Sequence, residues 1–220
     1  MLNRLFIHIG LPKTATTWLQ NPIFNHHPEI LYLGKARPCP SPKVFALIQA
    51  LYDPSSATFS VENTRGIWKS LYQQFGETEL ANRKVIGFSD ENLWAGIDHI
   101  GSNPQPLAER IRRVFTDEDV NIIIGIREQT ALIESLYAEY IRCGGIFSLP
   151  RLLQPSNASG QMLLKKMDFL PLLADFSRIF GSNNVLVYLQ EEIHQDPHQA
   201  VAEIYRFLGV HDVWPDRFSP

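Results

Sequence analysis

Two spacings of apolar residues alternate along this sequence. Short runs of β-branched and aromatic residues at 5–9, 30–33, 84–89, 120–126 and 184–189 predict strands. Between them, patterns of three-to-four residue spacing predict helices that start near Thr14, Pro42, Thr64, Pro104, Glu128, Asp168 and Pro197. In "EQTALIESLYAEYIR" the apolar positions Leu132, Ile133, Leu136, Tyr137, Tyr140 and Ile141 define one stripe, expected to be buried. Strands that alternate with helical crossovers predict an α/β fold: a central parallel sheet of about five strands flanked by helices in three layers. "GKARPCPSPK" and "GGIFSLPRLLQPSNASG" carry Pro and Gly without a period and read as loops, the second a candidate substrate lid.

Composition narrows the class. With 220 residues and 45% hydrophobic content, the chain supports one domain, 1–220, with a sizeable core. A formal charge of -3 gives no global attraction to nucleic acid or an anionic membrane, so a bound anion must be held by a local site. Cys39 and Cys143 have neither zinc-site nor disulfide-framework spacing, and no metal site is expected. No apolar run approaches the length of a membrane helix, and the N-terminal run is too short for a signal peptide. These features predict a cytoplasmic protein without membrane insertion.

The chemistry is concentrated in "IHIGLPKTATTWLQ". A strand ends at Gly10, passes through Leu11, Pro12 and Lys13, and enters a helix through the small residues Thr14, Ala15, Thr16 and Thr17. Backbone N–H groups converge at such a turn, and the helix dipole adds positive potential. Lys13 supplies a full charge and the threonines supply hydroxyl donors, so the expected guest is a phosphate or sulfate group. A plain turn in which Thr14 or Thr16 caps the helix is the alternative. The order is not that of a nucleoside triphosphatase, because Gly10 is followed at the Walker distance by Ala15, Thr16 and Thr17, and the lysine sits early.

That early lysine, in G-x-x-K-T-x-[ST]-[ST], resembles the 5′-phosphosulfate loop of sulfotransferases that use 3′-phosphoadenosine 5′-phosphosulfate (PAPS). Ala15 stands where the family more often has Gly. "IIGIREQTALIESLYAEY" is similar to the family's 3′-phosphate motif, which implies that Arg127 at a strand end and Ser135 eight residues later bind the cofactor. An arginine fork at a strand's carboxyl edge is also a sound anion site on physical grounds. The resemblance therefore implies cofactor contacts from Gly10, Pro12, Lys13, Thr14, Ala15, Thr16, Thr17, Arg127 and Ser135. It also implies a P-loop-like sulfotransferase fold, with no metal.

Transfer to a hydroxyl or amine needs a base. "KVIGFSDENLW" opens at its strand end into Ser89, Asp90, Glu91 and Asn92. The carbohydrate branch of the family uses a glutamate near this point, which implies Glu91 as the catalytic base beside Lys13, with Asp90 as competitor and a helix-capping role as the alternative. His8 lies inside the first strand, and His26, His27 and His194 have no partner motif, so all four are expected to be structural or solvated. "NVLVYLQEEIHQDPHQAVAEIYRFLGV" is similar to the family's last strand and helix, but the glycine-rich C-terminal cofactor motif is absent and leaves only Arg217 as a candidate contact there. The implied activity is sulfuryl transfer to a carbohydrate or small-metabolite acceptor. The alternatives are a P-loop kinase with Asp90 as magnesium ligand and a non-catalytic anion-binding module.

Overall fold

The structure is a computed structural model that describes residues 4–35, 41–52, 60–95 and 107–214. Five parallel strands, β1 (Arg4–Gly10), β2 (Ile30–Tyr32), β3 (Val85–Ser89), β4 (Val120–Ile126) and β5 (Val185–Leu189), form one sheet in the order β2-β3-β1-β4-β5. All five predicted strands are present. Because the central strands are covered on both faces, they read as near-continuous apolar runs rather than as alternations. Leu5, Ile7 and Ile9 of β1 enter one buried cluster, whereas Phe6 enters the other and the buried His8 lies on the same face as Phe6.

On the first face lie α2 (Pro42–Tyr52), α3 (Val61–Tyr72), α6 (Leu107–Val114) and α10 (Phe169–Phe180), whose Leu47, Trp68, Ile111 and Phe176 are buried. On the second lie α1 (Thr16–Trp18), its π-helical continuation Leu19–Phe24, α11 (Gln190–Gln195) and α12 (Pro197–Leu208). The π segment has Pro22 inside it, and Asn25 N donates to Gln20 O at 3.2 Å, the five-residue step of a π turn.

Several elements differ from the sequence reading. The stretch 144–160 is not a continuous loop, because α8 (Leu149–Leu152) forms inside it and α9 (Ala158–Lys166) begins there. Pro150 sits in the first turn of α8, where its missing N–H costs nothing, and the Asn157 side chain caps α9 by accepting from Gly160 N. A short α4 (Glu77–Ala81) was not anticipated, and the helix expected near Thr14 starts at Thr16. In α7 (Gln129–Arg142) only Leu132 is fully buried. Tyr137 and Tyr140 stack on each other, and their hydroxyls bond the backbone of 146–147 instead. The helix start expected at Pro104 lies outside the described residues, as do Cys39 and Arg217. No helix among the described residues is long and apolar enough to cross a membrane.

Candidate active site

Parallel strands deliver the ends of β1, β3 and β4 to one edge of the sheet, the usual position for a ligand crevice. The β1 end is shaped by close packing. Gly10 pairs with Gly125 of β4, and a Cβ on Gly10 would stand 2.3 Å from Thr16 Cγ2 and 2.9 Å from Thr14 Oγ1. Leu11 N donates to Gly125 O at 3.4 Å, and the Thr14 hydroxyl donates to Leu11 O at 2.7 Å. Pro12, with its fixed φ, precedes Lys13 at φ 72°, the order a type II turn requires. Ala15 at φ 62° then caps α1 without a side-chain hydrogen bond. Two non-glycine residues are thus held in the left-handed region within one loop, a cost that clusters at functional sites.

The capping alternative fails in this geometry. Thr14 is buried and bonds Leu11 O, and the Thr16 hydroxyl donates to Glu91 Oε1 across from β3. Thr17 stays exposed in the first turn. The Thr16–Glu91 bond joins the loop to the candidate base. Asp90 takes the other role weighed for this turn, since it is buried and its Oδ1 accepts from Asn92 N at 2.7 Å at the start of α5 (Asn92–Ala95).

Lys13, inside the loop, and Arg127, beyond β4, are held by different partners. Lys13 Nζ lies 3.3 Å from Glu139 Oε2 on α7, and Glu139 also pairs with Arg142. Hydrogen bonds from Arg142 and Lys13 hold the Glu139 carboxyl down at about 2. Arg127, at the end of β4, donates from Nη1 to Lys13 O at 3.3 Å. Its Nε is buried, makes no hydrogen bond among the described residues and lies 4.0 Å from Glu191 Oε1. The neighbouring Glu128 is not its partner but the N-cap of α7, accepting from Thr130 N and Ala131 N at 2.8 and 2.7 Å. Ser135 is half-buried, one helical turn before Glu139 and on the same helix face. No hydrogen bond joins Ser135 to Arg127 among the described residues.

Beneath the loop lies a buried polar row that its motifs did not announce. His8 Nδ1 is 2.8 Å from Ser89 Oγ, His8 Nε2 is 2.9 Å from Tyr188 OH, and Tyr188 OH donates to Thr14 O at 2.9 Å. Complete burial pushes the His8 imidazole down to about 3, which keeps it neutral. The hints in the sequence were slight: a histidine in strand one, a glycine in "IIIGIR" and a tyrosine in "NVLVYLQ".

No protein-family model and no curated sequence matches the chain. Among solved structures, a sulfotransferase from Alicyclobacillus acidocaldarius superposes with a TM-score of 0.70 at 18% identity, covering 100% of this chain and 87% of that one. The sulfotransferase domain of the Synechococcus PCC 7002 olefin synthase gives 0.58 at 16% identity, over 99% and 78% of the two chains. Mouse sulfotransferase SULT7A1, solved with PAP, gives 0.50 at 14% identity, over 96% and 61%. The chain therefore has the sulfotransferase fold, an α/β architecture built on a central parallel sheet.

Proposed function

We propose that this protein is a sulfotransferase that moves the sulfuryl group of PAPS to a hydroxyl or amine of a carbohydrate or other small-metabolite acceptor. The observation that carries the reading is the convergence, within a sulfotransferase fold, of Glu91 from β3 and Arg127 from β4 on one strained lysine loop. Three features suit an anionic co-substrate: a loop whose Gly10 has no room for a Cβ, a helix start with no side-chain cap, and a buried Arg127 Nε with no hydrogen bond among the described residues. The 5′-phosphosulfate belongs at the loop N–H groups of residues 14–17 with Lys13, Thr16 and Thr17, and the 3′-phosphate at Arg127 with Ser135. In the reaction Glu91 takes the acceptor's proton as the acceptor atom bonds to sulfur. The S–O bond to the 5′-phosphate breaks, and the charge left on that oxygen is neutralised by Lys13 and the loop amides. PAP bound to SULT7A1 supports this choice of nucleotide.

Thermal unfolding tests the reading. PAP at a hundredfold excess over its dissociation constant stabilises by ~2.7 kcal/mol, a rise in Tm of about 5–10 °C for a chain of this size. ATP with magnesium should do much less. Equal protection by ATP and magnesium would point to a kinase, and no protection by either would remove the nucleotide site altogether.

A further inference from the structure

The row of hydrogen bonds under the loop has a definite direction. The Tyr188 hydroxyl has one hydrogen and two close neighbours, Thr14 O and His8 Nε2, each at 2.9 Å. A carbonyl oxygen only accepts, so the tyrosine hydrogen is committed to Thr14. Tyr188 oxygen must then accept from His8 Nε2–H. In the neutral ring Nδ1 is left as the acceptor, filled by the Ser89 hydroxyl at 2.8 Å, whose oxygen in turn accepts from Gln20 Nε2 at 2.8 Å. Each donor in the row is used once, and the row ends at the Thr14 carbonyl.

The sheet is built to let this row through. His8 pairs with Ser89 across β1 and β3, and Gly10, Gly125 and Tyr188 lie in register across β1, β4 and β5. A Cβ on Gly125 would sit 2.2 Å from the Tyr188 hydroxyl oxygen, so only glycine lets the tyrosine cross β4 to reach the loop. Because a trans peptide is planar with its C=O and N–H opposed, a Thr14 carbonyl drawn down to Tyr188 turns the Ala15 N–H the other way, out of the sheet edge. We propose that Tyr188 and His8 are positioning residues for the anion loop, with His8 locked as the Nε2–H tautomer so that Tyr188 holds the Thr14–Ala15 peptide with its N–H toward the bound anion.

This inference rests on the anion-binding reading of the loop, and the test separates the two. Imidazole ¹⁵N shifts of the wild-type protein at pH 7 should report a neutral His8 protonated at Nε2, whatever the loop binds. An Nδ1–H ring or an imidazolium overturns the positioning role and leaves the function untouched, whereas failure of wild-type protein to bind PAP or inorganic sulfate overturns the function. Among variants, Tyr188→Phe should weaken PAP binding by about ten- to hundredfold, since it leaves the Thr14 carbonyl without its donor. His8→Gln, whose amide nitrogen reaches the Nε2 position, should stay within a fewfold of wild type. His8→Asn, which reaches only the Nδ1 position, should lose as much as Tyr188→Phe, and the double variant no more than either alone. If Tyr188→Phe lowers Tm but binds PAP like wild type, or if the glutamine and asparagine variants behave alike, the positioning role is refuted.

Discussion

The most direct measure of the strain at the loop compares two substitutions of Lys13. Both Lys13→Ala and Lys13→Gly remove the ammonium and its exposed pairing with Glu139, so those effects cancel between them. They differ in the backbone. At φ 72° a residue with a Cβ costs about 1–2 kcal/mol that glycine escapes, while glycine gives back roughly 0.5–1 kcal/mol in unfolded-chain entropy. The net is about 1 kcal/mol in favour of glycine, which for a chain of this length is about 2–4 °C in Tm. Calorimetry on the two purified variants reads the difference directly, and both should have lost sulfuryl transfer. A Lys13→Ala protein that melts at or above Lys13→Gly would mean that the left-handed turn is not held in solution, and the strained-loop account would fail with it.

Three further outcomes follow from the same geometry. Glu91→Gln should slow transfer by roughly a hundredfold to ten-thousandfold with PAP affinity unchanged, and Asp90→Asn should act mainly on stability through the α5 start; single-turnover assays with a genuine acceptor decide between them. Arg127→Ala should weaken PAP binding about ten- to hundredfold and leave the rate from the saturated complex nearly unaltered, as titration calorimetry with saturation kinetics would show. His8 is held at about 3 in the fold against 6.5 in the unfolded chain, so the unfolded state takes up the extra proton and stability falls as pH drops from 6.5 toward 3, at up to about 1.4 kcal/mol per pH unit. Urea titrations between pH 6.5 and 4.5 should show that slope in wild type and its loss in His8→Gln; identical slopes would place His8 in water.

Much of the fold was legible because its signals are local. Short runs of β-branched and aromatic residues are a local signal, in the covered central strands and in the half-exposed edge strand β5 alike, so all five strand candidates could be read within windows of a few residues. The turn from Gly10 to Thr17 was legible for the same reason: a glycine at a strand end followed by small residues that enter a helix is a local arrangement. The region 144–160 was misread because proline and glycine mark both loops and helix starts, and only the cap from Asn157 and the place of Pro150 in the first turn tell which applies. The α7 stripe is covered only in part: Leu132 is buried and Ile133 and Leu136 pack half-buried on the core, while Ile141 is exposed. Periodicity reports which residues share a face, not whether another element covers it.

What the sequence by itself determined is thus the five strands in their order, the parallel α/β class and the lysine turn at the end of β1. Tertiary structure alone decided which distant side chains meet at that loop. Thr16 and Glu91 are 75 residues apart, Lys13 and Glu139 are 126 apart, and Thr14 and Tyr188 are 174 apart. These pairings depend on the strand order β2-β3-β1-β4-β5 and on the register that aligns Gly10, Gly125 and Tyr188. A one-residue slip of β5 would turn Tyr188 to the other face of the sheet and away from Thr14, and register is fixed by packing summed over both cores, not by any local signal.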